Sequence, residues 1–364
     1  MINGKIKVLL AEDSAALRLR LVQLLESDPQ ICVMGVVSNG QEAVDFVQLN
    51  KPDVLLMSIQ MPYFKGFEAT RRIMETKPVP IIICSATSDA QDLVFVFEAM
   101  EAGAIACVEK LWDHQHSDFE VISAHLLQTV KLMSEVKVVR RSSRARRNPL
   151  PPTYAAGSRS QAVPQISLIG IGASTGGPPV LQTILSALPK DFAVPLLVVQ
   201  HIAPGFLSGM VDWLNHTTGL KTHIASSGTR PLPGHIYLAP DDVHMGIGSD
   251  GGIALSQQPP ENQLRPAVSF LFRSLADVYG PNALGVLLTG MGEDGAGELK
   301  AMKDRGAITI AQDRESSVVH GMPGAAIALG GATLVLPADK IAEALVTQVN
   351  WRNGLAQTLD SGQR

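Results

Sequence analysis

Three residues that could form a catalytic triad each lie near the end of a short apolar run in the second half of the chain. Ser174 lies just after the run SLIGIG, His201 directly follows the run VPLLVVQ, and Asp294 follows ALGVLLTG by a few residues. A serine hydroxyl becomes a nucleophile beside a base, and a histidine serves as that base when a carboxylate orients its ring. The three residue types therefore indicate acyl transfer, such as hydrolysis of a side-chain ester or amide.

The serine lies in I-G-A-S-T-G-G-P, residues 171–178. Gly172 to Gly176 fits G-x-S-x-G, in which small neighbours allow the sharp strand-to-helix turn that exposes a nucleophile. Pro178 suits the first turn of a helix, whose unpaired N–H groups would stabilise an oxyanion. Two alternatives stay open: a turn without chemistry, and a nucleotide-binding turn. The second requires G-x-G-x-x-G, and its third glycine would have to replace Thr175.

The base and the carboxylate each have an alternative interpretation. His201 is predicted at the same sheet edge as the serine, but a histidine at a strand end can also lack chemistry, and His320 is the main competitor. Asp294 lies in the glycine-rich segment T-G-M-G-E-D-G-A-G, where it could orient the histidine or simply cap a helix, with Glu293 beside it.

The pattern of apolar runs predicts an α/β fold in both halves of the chain. The runs are KVLLA, ICVMGVV, DVLLMS, PIIICS and AIACVEK in the first half, and SLIGIG, VPLLVVQ, HIYLAP, GIALSQ, ALGVLLTG, AITIAQ and TLVLP in the second. Most of them alternate with helix-period segments, which indicates parallel sheets covered on both faces by helices. In such sheets the functional crevice lies at the carboxyl ends of the strands, where the three candidate residues are predicted.

Composition narrows the class of protein. Apolar residues make up 46% of the 364 residues, charged residues 18%, and the net charge is -4. These values are typical of globular proteins and argue against nucleic acid as the main partner. The first apolar run is too short for a signal peptide or a membrane span, so we expect a cytoplasmic protein without membrane insertion.

Between the halves, residues 134–165 are rich in Arg, Ser and Pro and contain few large apolar side chains. This composition predicts a linker. Its five arginines between Arg140 and Arg147 could contact an acidic or phosphorylated partner, but a solvated charged hinge is the simpler explanation and the one that we favour. His114 and His116 lack the accompanying acids or cysteines of a metal site, and we predict no bound metal or cofactor.

Five motifs in fixed order resemble one family: G-A-S-T-G-G-P, Q-H-I-A-P-G-F, G-H-I-Y-L-A-P-D-D-V-H, R-P-A-V-S-F-L-F-R-S and L-T-G-M-G-E-D-G-A. Together with a receiver-like first half, they resemble the CheB family of chemotaxis protein-glutamate methylesterases and glutamine deamidases, from about Lys5 to about Val349. The resemblance implies a flavodoxin-like receiver domain at 1–125, a helical and Arg/Pro/Ser-rich linker at 126–165, a doubly wound methylesterase domain at 166–350 and a tail at 351–364.

The resemblance also implies a reaction and its residues. The family's triad falls on Ser174, His201 and Asp294, and Thr175 and Met291 match positions beside the chemistry. The implied substrates are methylated glutamates and certain glutamines of chemoreceptors, and a chemotaxis histidine kinase is an implied partner. Two functions from other classes remain: a scaffold protein with an inactive catalytic domain, and a nucleotide-dependent oxidoreductase.

The first half departs from the receiver pattern at one position. Glu12 and Asp13 match the acidic pair, Ser85 matches the hydroxyl residue and Lys110 matches the lysine, but Ser58 stands where receivers carry the phosphorylated aspartate. Leu111 also replaces the usual proline, and Asp53 lies at the opposite end of the same predicted strand. We therefore expect a regulatory domain that lacks the phosphoacceptor, with a serine phosphosite as the alternative.

Overall fold

The computed structural model describes residues 4–62, 65–85, 90–110, 119–136, 138 and 164–361. Each half forms a parallel β-sheet with helices packed on it, so the predicted α/β fold is confirmed. No helix within those ranges is long and apolar enough to span a membrane. Most of the predicted linker, including its five arginines, lies outside the described residues, as do Leu111, His114 and His116.

The first half has a five-stranded parallel sheet in the order β2-β1-β3-β4-β5. Its elements are β1 (Ile6–Ala11), α1 (Ala15–Ser27), β2 (Ile31–Val37), α2 (Gly40–Leu49), β3 (Val54–Ser58), α3 (Gly66–Thr76), β4 (Ile81–Ser85), α4 (Ala90–Ala102), β5 (Ala106–Glu109) and α5 (Phe119–Ser134). All residues of the central strands β3 and β4 are buried, because helices cover both faces of the sheet. This explains why those strands read as continuous apolar runs.

Helix α5 crosses the domain boundary predicted at residue 125. Leu126, Val130 and Met133 are fully buried in the apolar cluster beneath the first sheet. The helix therefore contributes one face to the core of the first half. We propose that the receiver-like domain extends to Ser134 and that the linker begins after it.

The second half has a seven-stranded parallel sheet in the order β14-β13-β12-β6-β7-β9-β8 and an antiparallel hairpin, β10-β11. Its elements are β6 (Leu168–Ala173), α6 (Gly177–Ser186), β7 (Leu196–Gln200), α7 (Leu207–Thr218), β8 (Lys221–Ile224), β9 (His235–Leu238), β10 (His244–Ile247), β11 (Ile253–Ser256), α8 (Val268–Val278), β12 (Ala283–Leu287), α9 (Ala296–Asp304), β13 (Ile308–Gln312), α10 (Met322–Ala328), β14 (Leu334–Leu336) and α11 (Ala338–Ser361). Helix α11 continues past residue 350, so the boundary predicted there divides a helix.

The order of the strands reverses at β6. The chain continues from β6 to β7 on one side, and it later returns to β12 on the other side. Ligand sites in open parallel sheets lie at such a switch point, at the carboxyl ends of the strands. Ser174 follows β6 directly, so the topology places it at this point.

The two halves are joined by an apolar contact between α4 and α7. The ring of Phe97 stacks on Trp213 with centroids 5.2 Å apart, and both side chains are buried. Leu93 packs against Gly209 so closely that a Cβ atom on this glycine would lie 2.5 Å from the Leu93 Cβ atom. One continuous apolar cluster runs through both halves at this contact.

Candidate active site

Ser174 occupies a sharp turn between β6 and α6. Its N–H donates to the carbonyl of Thr289 at 3.0 Å, and its carbonyl accepts from Gly177 N–H at 2.8 Å. Gly176 has a φ of 77°, and a Cβ atom there would lie 2.5 Å from the Val318 Cβ atom. Only glycine meets both conditions without strain, which explains the last residue of the G-x-S-x-G pattern.

Few amide groups at the start of α6 are available to an oxyanion. Pro178 and Pro179 carry no N–H, and Gly177 N–H already donates to Ser174. The N–H groups of Thr175 and Gly176 make no hydrogen bond within the described part of the chain. These two amides are therefore the candidate oxyanion donors of the turn.

His201 follows the neighbouring strand, next to the serine turn. Ala173 pairs with Gln200 in the register between β6 and β7, and His201 N–H donates to the Ala173 carbonyl at 2.9 Å. The Gln200 amide donates to the carbonyls of both Ser174 and His201, at 2.8 and 2.7 Å. This buried side chain therefore links the Ser174 loop to the His201 loop through hydrogen bonds. Sequence reasoning did not single it out, although it stands beside His201 in the motif.

Asp294 contacts His201 directly. The distance between His201 Nε2 and Asp294 Oδ2 is 3.0 Å, and the two side chains are 11% and 1% exposed. No hydrogen bond joins the Ser174 hydroxyl to the His201 ring in the part of the chain that the structure describes. Because Nε2 faces the carboxylate, Nδ1 is the ring nitrogen left to accept a proton from a nucleophile.

Asp294 also caps a helix. Its own segment leads into α9, but the helix that its carboxylate caps is α8. Val268 N–H donates to Oδ2 at 2.6 Å and Ser269 N–H donates to Oδ1 at 3.0 Å, while Ala267 at the N-cap position offers no capping side chain. Burial raises the pKa of the Asp294 carboxyl, but the hydrogen bond and charge of His201, with the Ser269 contacts, lower it below its ordinary value.

The lowered pKa predicts how the stability of an Asp294→Asn variant depends on pH. A depressed carboxyl pKa stabilises the fold above the unfolded-state pKa of about 3.9, and this contribution is lost as pH falls further. We expect Asp294→Asn to lower the free energy of unfolding by about 2 kcal/mol at pH 7. The difference from wild type should shrink below about pH 4. Urea unfolding at both pH values measures it, and a difference that does not vary with pH would contradict the expected charge on Asp294.

His320 occupies a different position. Its Nδ1 atom lies 3.3 Å from the Ser317 hydroxyl, and its backbone forms a bridge with Gly290. Burial and the charge of Arg314 lower its pKa. No ion pair joins His320 to Asp294 within the described residues.

A cavity of about 300 Å³ adjoins Asp294. It is lined by Asn262, Leu264, Met291, Gly292, Glu293 and Asp294. Met291 is 37% exposed, and its sulfur lies 3.8 Å from the Gln128 amide nitrogen of α5 in the first half. The carbonyl of Thr175 accepts from the Thr289 hydroxyl at 2.9 Å. Both near-site residues of the sequence prediction thus border the serine and aspartate loops.

The first sheet carries a second polar cluster at the carboxyl end of β3. The Lys110 ammonium lies 3.0 Å from Ser58 Oγ and 3.0 Å from Glu12 Oε2. The Ser58 hydroxyl, which is buried, donates to the Gln60 carbonyl at 3.0 Å. Burial raises the pKa of Glu12 and the charge of Lys110 opposes this.

The other receiver-pocket residues lie around this cluster. Ser85 is buried at the end of β4, where its carbonyl accepts from Lys110 N–H, and Asp13 is exposed. Asp53 precedes β3 and accepts from Lys7 N–H at the opposite end of the sheet. Among the described residues, no three His, Cys, Asp or Glu side chains converge as metal ligands do.

Comparison with known proteins gives two family matches. A response regulator receiver domain matches residues 8–117, and the CheB methylesterase family matches residues 169–345. The protein-glutamate methylesterase/protein-glutamine glutaminase of Nitrosospira multiformis is 48% identical over 345 residues, which cover 94% of this chain and 97% of that protein. Protein-glutamate methylesterase/protein-glutamine glutaminase 4 of Geobacter metallireducens is 50% identical, covering 94% and 98%. The crystal structure of the Thermotoga maritima CheB methylesterase catalytic domain is 40% identical and covers 51% of this chain and all of that one, with a TM-score of 0.49.

Proposed function

The chain belongs to the CheB family of protein-glutamate methylesterases and protein-glutamine glutaminases, and from this premise we propose that Ser174, His201 and Asp294 are its catalytic triad. The expected substrates are methyl esters of glutamate side chains, and specific glutamines, on chemoreceptors. The observation that carries the proposal is the 3.0 Å contact between His201 and the buried Asp294, at the sheet edge where Ser174 follows the neighbouring strand.

The proposed reaction proceeds in two steps. Ser174 Oγ attacks the ester carbonyl while His201 Nδ1 takes its proton, and Asp294 stabilises the imidazolium through Nε2. The Thr175 and Gly176 amides bind the oxyanion, and methanol leaves with the proton from His201. Water then attacks the glutamyl-serine ester by the same route, which releases the receptor carboxylate and restores the serine.

Substituting His201 and His320 separately tests which histidine is the catalytic base. We expect His201→Ala to lower methanol release from methylated receptor by ~10³ or more. His320→Ala, the matched control, should retain turnover within about threefold, because no ion pair within the described residues orients this ring as Asp294 orients His201. A mild His201→Ala and an inactive His320→Ala would reverse the assignment.

For the first half, we propose a receiver domain that has lost its phosphoacceptor. Ser58 provides no carboxylate to form an acyl phosphate or to bind the magnesium ion that phosphotransfer requires. The contacts of Lys110 with Ser58 and Glu12 support this proposal, because this lysine already has an acidic partner beside it. The Ser58 hydroxyl is itself buried and bonded, which disfavours its use as a phosphosite.

We further propose that the receiver-like half restricts access to the catalytic rim. Gln128 lies beside Met291, and Val318 and Val319, which border the serine turn, pack against the apolar cluster of the first half. The contact between α4 and α7 holds the halves in this arrangement.

Weakening that contact should therefore activate the enzyme. We expect Phe97→Ala to raise methylesterase turnover by about fivefold or more, and deleting residues 1 to about 140 to raise it similarly. Val47→Ala is the matched control, because Val47 is fully buried on α2, whose packing on β1 and α3 lies within the first half. Unchanged turnover in Phe97→Ala, with normal folding, would argue against restriction by the first half.

A further inference from the structure

His244, at the start of β10, is completely buried and lies outside the proposed triad. Its Nδ1 atom is 3.2 Å from Ala267 N, and its Nε2 atom is 3.2 Å from the Pro259 carbonyl oxygen. A backbone N–H only donates and a carbonyl only accepts, so Nδ1 accepts from Ala267 and Nε2–H donates to Pro259. These two contacts require a neutral ring in a single tautomer.

This histidine shares the start of α8 with Asp294. Ala267, Val268 and Ser269 are consecutive, and their three N–H groups donate in turn to His244, Asp294 and Asp294. The ring of Phe270 stacks on His244 with centroids 4.8 Å apart and an interplanar angle of 13°. The start of the helix is therefore held by His244 on one side and by the triad carboxylate on the other.

We propose that His244 is a positioning residue for catalysis, which fixes the start of α8 so that Asp294 stays aligned with His201. The inference rests on the proposed triad and concerns how that triad is held. His244 is not among the described residues that line the cavity beside Asp294, and it acts through the three consecutive amides.

Removing the His244 ring should impair catalysis because, in the described part of the chain, the start of α8 has no other capping side chain to accept from Ala267 N–H. Ala267 has no capping side chain, so loss of the Nδ1 acceptor leaves its buried N–H unpaired. The first turn then relaxes, and the Asp294 carboxylate, which is bonded to the next two amides, moves with it. A displacement of about 1 Å in a catalytic group can lower turnover by about 10²-fold. Substrate binding should change little, because the Asp294 side chain is only 1% exposed.

Substituting His244 with asparagine or with glutamine distinguishes the roles of the two ring nitrogens. In His244→Asn, Oδ1 takes the place of Nδ1 and can still accept from Ala267, whereas in His244→Gln the amide takes the place of Nε2 and keeps only the contact with Pro259. In the full chain we expect His244→Asn to retain kcat within about threefold. His244→Gln and His244→Leu should lower kcat by about tenfold or more, with KM changed by less than about twofold.

Ile253→Ala serves as the control for stability. Ile253 is buried on β11 and pairs with Ile247 of β10, so its truncation weakens the same hairpin without removing a hydrogen bond at the start of α8. It should lower the melting temperature and leave kcat unchanged. Equal losses in His244→Asn and His244→Gln, or normal kcat in His244→Leu, would overturn the positioning role. Absence of turnover in wild type would instead refute the proposed function.

A measurement on the wild-type chain covers the case in which the variants do not fold. With ¹⁵N-labelled histidine, the ring of His244 should show a protonated Nε2 and an unprotonated Nδ1 at pH 7. An Nδ1–H tautomer or an imidazolium at this residue would contradict the contact with Ala267 and overturn the proposal.

Discussion

Ser174→Ala and His201→Ala are each expected to lower methylesterase turnover by ~10³ or more, and the double variant should lose little beyond the worse of the two. The serine needs the histidine to remove its proton, and the histidine has no other role once the nucleophile is gone. Methanol release from methylated receptor, measured at saturating substrate, gives the three rates.

The pattern of the losses is more informative than their size. If the two residues contributed independently, the logarithms of the two losses would add in the double variant. Additive losses would therefore contradict the shared role. His320→Ala provides the control for the general effect of removing a partly buried imidazole near the site.

The second large effect concerns phosphorylation. We expect acetyl phosphate with magnesium to leave the wild-type chain unlabelled, and Ser58→Asp to become labelled on the first half. The Lys110 ammonium lies 3.0 Å from the Ser58 hydroxyl and 3.0 Å from the Glu12 carboxylate. The substitution therefore restores a carboxylate beside Lys110 and near Glu12. That carboxylate would provide both the nucleophile and the missing magnesium ligand.

Ser58→Asn is the matched control, because it has nearly the same shape as aspartate but no charge. It should remain unlabelled. Intact-protein mass spectrometry before and after incubation with the phosphodonor distinguishes the three chains. Uptake of phosphate at Ser58 in wild type, together with higher esterase turnover, would show that this serine is itself a switch and would refute the degenerate receiver.

The parallel sheets were predictable because their strands are buried on both faces. The run VLLMS of β3 is entirely buried, and such runs between helix-period segments identify strands without knowledge of the fold. The edge of the sheet where Ser174, His201 and Asp294 lie followed from the same rule, since all three come after parallel strands.

Other features depend on contacts between distant parts of the chain. The segment around Asp294 indicates a helix N-cap, yet its carboxylate caps α8, which begins 26 residues earlier. Likewise, Gln200 holds the serine turn by donating a hydrogen bond to the Ser174 carbonyl, a contact that the neighbouring residues in the sequence do not indicate. The boundary predicted at residue 125 divides helix α5, yet Met133 is buried in the apolar core of the first half, which supports our proposal that the whole helix is part of that domain.

Covalent labelling with a fluorophosphonate tests the central claim, an activated serine at position 174, most directly. The reagent forms a P–O bond with an activated serine and releases fluoride, without requiring the receptor substrate. We predict one adduct per chain, located at Ser174 by peptide mass spectrometry, with methylesterase activity lost in proportion to labelling and with much slower labelling of His201→Ala. Full activity in a chain labelled at Ser174, or inactivation through a different residue, would contradict the triad.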